Sequence, residues 1–76
     1  MNLYLLSRDD DSVGYDEFDA FVVAATSEEE ARSIASTRDH EFGKAWMDPN
    51  FASCKLVGRA CSKTVAGIVL GSFNAA

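Results

Sequence analysis

The chain has 76 residues, 47 % of them hydrophobic, with five Phe, two Tyr and one Trp; that content excludes a disordered polypeptide. Twelve acids against seven bases leave a net charge of −5, and so negative a chain with scattered bases is not expected to bind nucleic acid directly. A chain this short buries only about 60 % of its unfolded surface, so one small domain spanning 1–76 is expected, with an economical core or self-association to stabilise it.

The acids are unevenly placed. Nine of the twelve fall in the first thirty residues beside Arg8 alone, while residues 31–76 hold three acids against six bases. Such asymmetry concerns partners and solubility rather than fold.

In chain order, Asn2-Leu-Tyr-Leu-Leu-Ser-Arg8 reads as a first strand running into the turn-rich segment Asp9 to Asp16. Phe18 to Ala25 is the second strand. Strict alternation places Phe21, Val23 and Ala25 on one face and Phe18, Ala20 and Val22 on the other. Both faces are apolar, so this strand is expected to be central, or to have its second face covered by a loop or a partner.

Helix onset follows from chemistry. Thr26-Ser27-Glu28-Glu29 reads as a capping box with Thr26 as the cap, and Ser27 with Glu30 offers the same pattern one residue on. Glu28, Glu29 and Glu30 lie at the positive end of the helix dipole. Ala31, Ile34 and Ala35, with the stem of Arg38, form a narrow apolar stripe, and the helix is expected to end near Thr37 to His40.

Phe42 to Phe51 reads as an irregular connection that is rich in aromatic residues. Trp46 has two readings here: it closes one end of the core, or it anchors a protein interface. Ser53 to Ala60 alternates as a third strand with one wet face. Val65 to Phe73 supplies a fourth, with Ile68 and Leu70 opposite Val69 and Phe73. The order ββαββ gives an α+β fold: a four-stranded, mainly antiparallel sheet with one helix packed on one face.

No residue pattern points to a reaction. Asp9-Asp10-Asp11-Ser12-Val13-Gly14 opens like a calcium loop, but Val13 and Ala20 stand where ligands are needed. His40, the only histidine, directly follows Asp39 with no nucleophile context around Cys54 or Cys61. Free thiols are expected at both cysteines; a disulfide needs a secretory context and zinc needs more ligands, and neither signal is present. Gly67 to Gly71 lacks the lysine and helix of a phosphate loop. Neither catalytic residues nor a metal or other cofactor is therefore expected. No apolar run approaches the roughly 20 residues of a membrane helix, and none has the form of a signal peptide, so a cytoplasmic protein is expected.

Several segments carry a resemblance. Asn2-Leu-Tyr-Leu-Leu-Ser-Arg8, Gly14-Tyr-Asp-Glu-Phe-Asp-Ala-Phe-Val-Val23 and Ser27-Glu-Glu-Glu-Ala-Arg32 resemble small proteins of bacteriophages and prophages. The likeness continues through Trp46-Met-Asp-Pro49, Val57-Gly-Arg-Ala60 and Gly67-Ile-Val-Leu-Gly-Ser-Phe-Asn74. It implies an accessory inhibitor of a host system, of the anti-CRISPR kind, working in the host cytoplasm by stoichiometric binding to a protein or nucleoprotein complex. On this reading the contacts are Asp9, Asp10, Asp11, Tyr15, Asp16 and Glu17, the helix-start acids Glu28 and Glu29, and Trp46 as aromatic anchor. The alternatives are a self-associating accessory protein, with a homodimer burying Phe18 and Trp46, and a small enzyme.

Overall fold

The computed structural model describes residues 1–8, 14, 17–61 and 63–74. Strands β1 (Asn2–Arg8) and β2 (Glu17–Ala25) are followed by helix α1 (Glu28–Arg38), a 3-10 helix (Gly43–Met47), and strands β3 (Ala52–Arg59) and β4 (Gly67–Asn74). The four strands form one antiparallel sheet in the order β3-β1-β2-β4. The fold is α+β with the expected ββαββ order, and the two strands nearest the N-terminus occupy the centre.

Helix α1 starts one residue later than the first capping pattern suggests. Ser27, not Thr26, is the cap: its hydroxyl oxygen accepts from the Glu30 amide at 3.1 Å. Glu30 reaches back past the cap, and its carboxylate accepts from the Thr26 amide at 2.7 Å and from the Thr26 hydroxyl at 3.2 Å. Two otherwise orphaned amides are thus satisfied. Ala31 and Ala35 are fully buried against the sheet, because methyl side chains let the helix approach closely.

Single-residue register shifts overturn two of the expected face assignments. Phe18 pairs with Phe73 and Ala20 with Ser72, so Asp19 is the extra residue of a bulge in β2. Alternation resets there, and Phe18 joins Phe21 on the helix side, ring centroids 4.8 Å apart, rather than facing away from it. On β4, Val23 pairs with Ile68 and Val22 with Leu70, leaving Val69 as the extra residue. Ile68 therefore packs against the core while Leu70 points to the other side, although their spacing of two had put them together. A third shift sets Val57 out of register between β3 and β1.

The core comprises Leu6, Phe21, Val23, Ala25, Ala31, Ala35, Trp46 and Ala52. An aromatic chain runs through it from the β4 edge to the 3-10 segment: Phe73–Phe18, Phe18–Phe21, Phe21–Trp46, Trp46–Phe51 and Phe51–Phe42, with centroid separations of 4.8 to 5.6 Å. Tilted and edge-to-face pairs of this kind contribute about 0.5–1.5 kcal/mol each beyond area burial.

Three charged groups lie inside and hold the irregular segment. Asp39 caps the helix C-terminus, its amide donating to the Ala35 carbonyl at 3.0 Å. One carboxylate oxygen accepts from the Glu41 and Phe42 amides, and the other accepts from the Trp46 indole N–H at 2.7 Å. Arg32 donates to the Trp46 and Ala52 carbonyls at 3.0 and 2.8 Å, and to Glu28 at 2.8 Å. Arg8 lies over the adjacent Phe42 and Phe51 rings, 4.7 and 4.8 Å from their centres, and is bonded to Glu17.

Candidate docking surface

Of the acidic contacts expected from sequence, Glu17, Glu28 and Glu29 lie among the described residues. Asp9, Asp10, Asp11, Tyr15 and Asp16 lie outside them, as does most of the loop tested as a calcium site. Glu17 is described, and it is engaged internally. Its carboxylate accepts from Arg8 at 3.0 Å and from the Gly14 amide at 3.0 Å, leaving its side chain 19 % exposed. Glu28 is half-exposed and paired with Arg32, and Glu29 is exposed beside it.

Trp46 requires a correction. It is 0 % exposed, with Phe21 and Phe51 packed edge-on against it and its N–H bound by Asp39. The indole closes the core and is not available as a surface anchor, for a target or for a homodimer that would bury it. The physical reason is the buried carboxylate, which supplies the polar partner that a tryptophan otherwise finds at a wet interface.

Among the described residues, one side of the sheet is left without a helix over it. Directly paired residues of antiparallel strands point the same way, so the pairings define rows across all four strands. Cys54–Leu6–Phe21–Gly71 and Leu56–Tyr4–Val23–Ile68 form the rows on the helix side, and all but Leu56, exposed at the β3 edge, and Gly71 pack in or against the core. The opposite side carries Lys55–Leu5–Val22–Leu70, a neighbouring row Ser53–Ser7–Ala20–Ser72, and Gly58–Leu3–Ala24–Gly67. Ala24 is buried at 1 % exposure, Leu3, Leu5 and Val22 are half-buried, and Leu70 is 63 % exposed. The result is an apolar stripe edged by hydroxyls, with Lys55 as the single charged residue of these three rows.

Further large apolar side chains are exposed on the flanking strands: Leu56 and Val57 on β3, and Val69 and Phe73 on β4. Val65, in the loop between them, is the most exposed. Sequence reasoning did not single these out. The signal was present in β2, whose two apolar faces demanded a second cover, but the residues completing that face come from β1 and β4.

No family model, curated protein or solved structure matches the chain.

Two other features were weighed as chemistry. His40 lies with Ser33, Ile34 and Arg38 along a shallow groove that also meets Gly67; the Thr37 hydroxyl beside it is already donating to the Ser33 carbonyl. Cys54 and Cys61 are both free. Burial pushes the Cys54 thiol above its ordinary value. Cys61 is exposed, and bonds from the Lys63 amide and the Thr64 hydroxyl hold its thiol below the ordinary value. Among the described residues no helix is long and apolar enough to cross a membrane.

Proposed function

We propose that this chain works by docking, as a phage-type accessory protein that binds a host defence nucleoprotein complex of the CRISPR kind stoichiometrically, in the host cytoplasm. The observation that carries the docking part is the row Leu5–Val22–Leu70, an apolar stripe ending in exposed Leu70 on the side of the sheet that no described helix covers. Contiguous exposed apolar surface of this kind marks interaction sites on small soluble domains. The host target follows from the resemblance to phage proteins.

In this reading the stripe supplies affinity and the acidic helix start supplies steering. Glu28 and Glu29 lie at an exposed rim, where each ion pair contributes under about 1 kcal/mol. Burying Leu70 completely is worth about 1.5–3 kcal/mol, so a charge placed there costs at least roughly tenfold in affinity.

The test titrates purified guide–nuclease complexes with the chain and follows target cleavage, beside plating of a targeted phage on hosts expressing it. Inhibition is expected to saturate at a fixed ratio of chain to complex, and Leu70→Asp to abolish it. Uninhibited cleavage with unrestored plating across the CRISPR types sinks the host-target proposal. Inhibition at a small fraction of the complex concentration sinks stoichiometric docking.

A further inference from the structure

Arg38 is a charge without a counterion. Among the described residues it makes neither an ion pair nor a hydrogen bond, and its guanidinium carbon lies 5.0 Å from the centre of the Phe18 ring. Stacking on a ring engages a face of the planar guanidinium and leaves its N–H edge free. The side chain borders a groove of about 520 Å³ between the second half of α1 and the turn entering β4. Ile34, Ala66 and Gly67 supply the apolar part of that groove, and Ser33 and His40 add a hydroxyl and an imidazole beside Arg38. Gly67 has φ +157, and a methyl group built on it would meet nothing within 4 Å, so no side chain of the fold fills that end.

The local charge is the reverse of the chain's net −5. Among the described residues no acid lines this groove, whereas the neighbouring depression at the start of α1 carries Glu29 and Glu30. Asp39, next to His40 in sequence, is 4 % exposed and bound inward to the Trp46 N–H. Helix carbonyls near the groove are already engaged: Ser33 accepts from the Thr37 hydroxyl and Ala35 from the Asp39 amide, both at 3.0 Å.

We propose that this groove binds a small organic acid, an apolar body ending in one carboxylate. The carboxylate takes the free edge of Arg38 through two parallel N–H···O bonds, the arrangement that a single guanidinium fork matches. The apolar body lies against Ile34 and Ala66, over the space that Gly67 leaves open. The volume falls within the roughly 300–1,000 Å³ of small-molecule sites, which are mostly apolar with a few polar groups that fix orientation. None of Leu5, Val22 and Leu70 lines this groove, so the inference goes beyond the docking proposal and stands without it.

The probe is phenylacetate, titrated into the isotope-labelled chain at constant ionic strength and followed by heteronuclear NMR. Amides from Ser33 to His40, with those of Ala66 and Gly67, are expected to shift and to saturate at roughly millimolar ligand, as suits so small a molecule. Phenylacetamide keeps the ring and loses the charge; it should bind at least about tenfold more weakly, and Arg38→Gln should weaken phenylacetate binding as much. Arg38→Lys, which keeps the charge without the fork, should also bind more weakly than wild type. Ser33→Leu, at an exposed helix position, fills the groove and should block binding, which keeps the inference testable if Arg38→Gln fails to fold. Equal affinity for acid and amide overturns the proposal, as does affinity that survives Arg38→Gln or Ser33→Leu. So do shifts centred on Leu70, or none that saturate in the millimolar range. These readouts are separate from target cleavage, so either proposal can fail alone.

Discussion

Removing the Asp39 carboxylate tests how the irregular segment is held. Three donors converge on that side chain: the Trp46 indole N–H at 2.7 Å and the Glu41 and Phe42 amides at 3.1 and 3.4 Å. They fare differently in Asp39→Ala. The indole is sealed, since Trp46 is 0 % exposed, so its N–H is stranded at about 1–3 kcal/mol. The Glu41 and Phe42 amides lie in a partly exposed turn, where water can replace the carboxylate, and they add on the order of 1 kcal/mol together. The expected loss is therefore roughly 2–4 kcal/mol, a large share of the 5–15 kcal/mol typical of a folded domain. At 4–8 °C per kcal/mol, the melting temperature falls by roughly 8–32 °C. Urea unfolding followed by far-UV circular dichroism, a signal that survives loss of the sole tryptophan, reads the loss directly. Trp46→Phe supplies the control, because it removes the stranded donor. In the double variant the Asp39→Ala cost should shrink by about 1–3 kcal/mol, the coupling energy of a contacting pair. A loss below about 0.5 kcal/mol in Asp39→Ala, or full additivity in the cycle, refutes the reasoning.

Ser27→Ala removes the helix cap and should cost about 1 kcal/mol in urea unfolding, whereas Thr26→Ala should cost less because its amide still reaches Glu30. Gly71→Ala sets a methyl 3.2 Å from a Phe18 ring carbon and 3.3 Å from the Phe21 ring; the overpacking should cost about 1–3 kcal/mol, read as a lower urea midpoint. The cysteines should alkylate in order, since the thiolate is the reactive form and its fraction rises with pH. Cys61 should react with iodoacetamide at a lower pH than an ordinary thiol, and Cys54 only at a higher one. Peptide mapping separates the two, and equal rates at every pH would contradict the assignment.

The strands and helix were legible because their signals are local. β1 matches its expected span, and α1 ends within the expected window because Asp39 stops it. The capping position was legible only to within one residue: both hydroxyls are followed three positions on by a glutamate, and tertiary geometry chose Ser27. The side-chain faces of β2 and β4 were not legible, because an inserted residue at Asp19 and at Val69 inverts the alternation beyond it. A bulge is a property of two strands at once, so neither sequence segment announces it.

The buried charges were missed for a related reason. Arg32 continues the Ala31–Ala35 stripe at helical spacing, and Arg8 keeps the phase of Tyr4 and Leu6, so both occupied core positions in the pattern. A charge inside needs partners, and the partners are not their sequence neighbours. Arg32 bonds the carbonyls of Trp46 and Ala52, 14 and 20 residues away. This also explains how one helix can hold the sheet. Arg32 and Asp39 satisfy backbone groups of the connection between α1 and β3, and Arg8 stacks on its rings, which together fixes Trp46, Phe42 and Phe51 over one end of the core. Helix and connection thus cover the same side of the sheet, and the apolar residues Leu3, Leu5, Val22 and Leu70 are left on the other. An exposed apolar face is therefore built into the chain's way of folding, and a partner for that face is where its function should be sought.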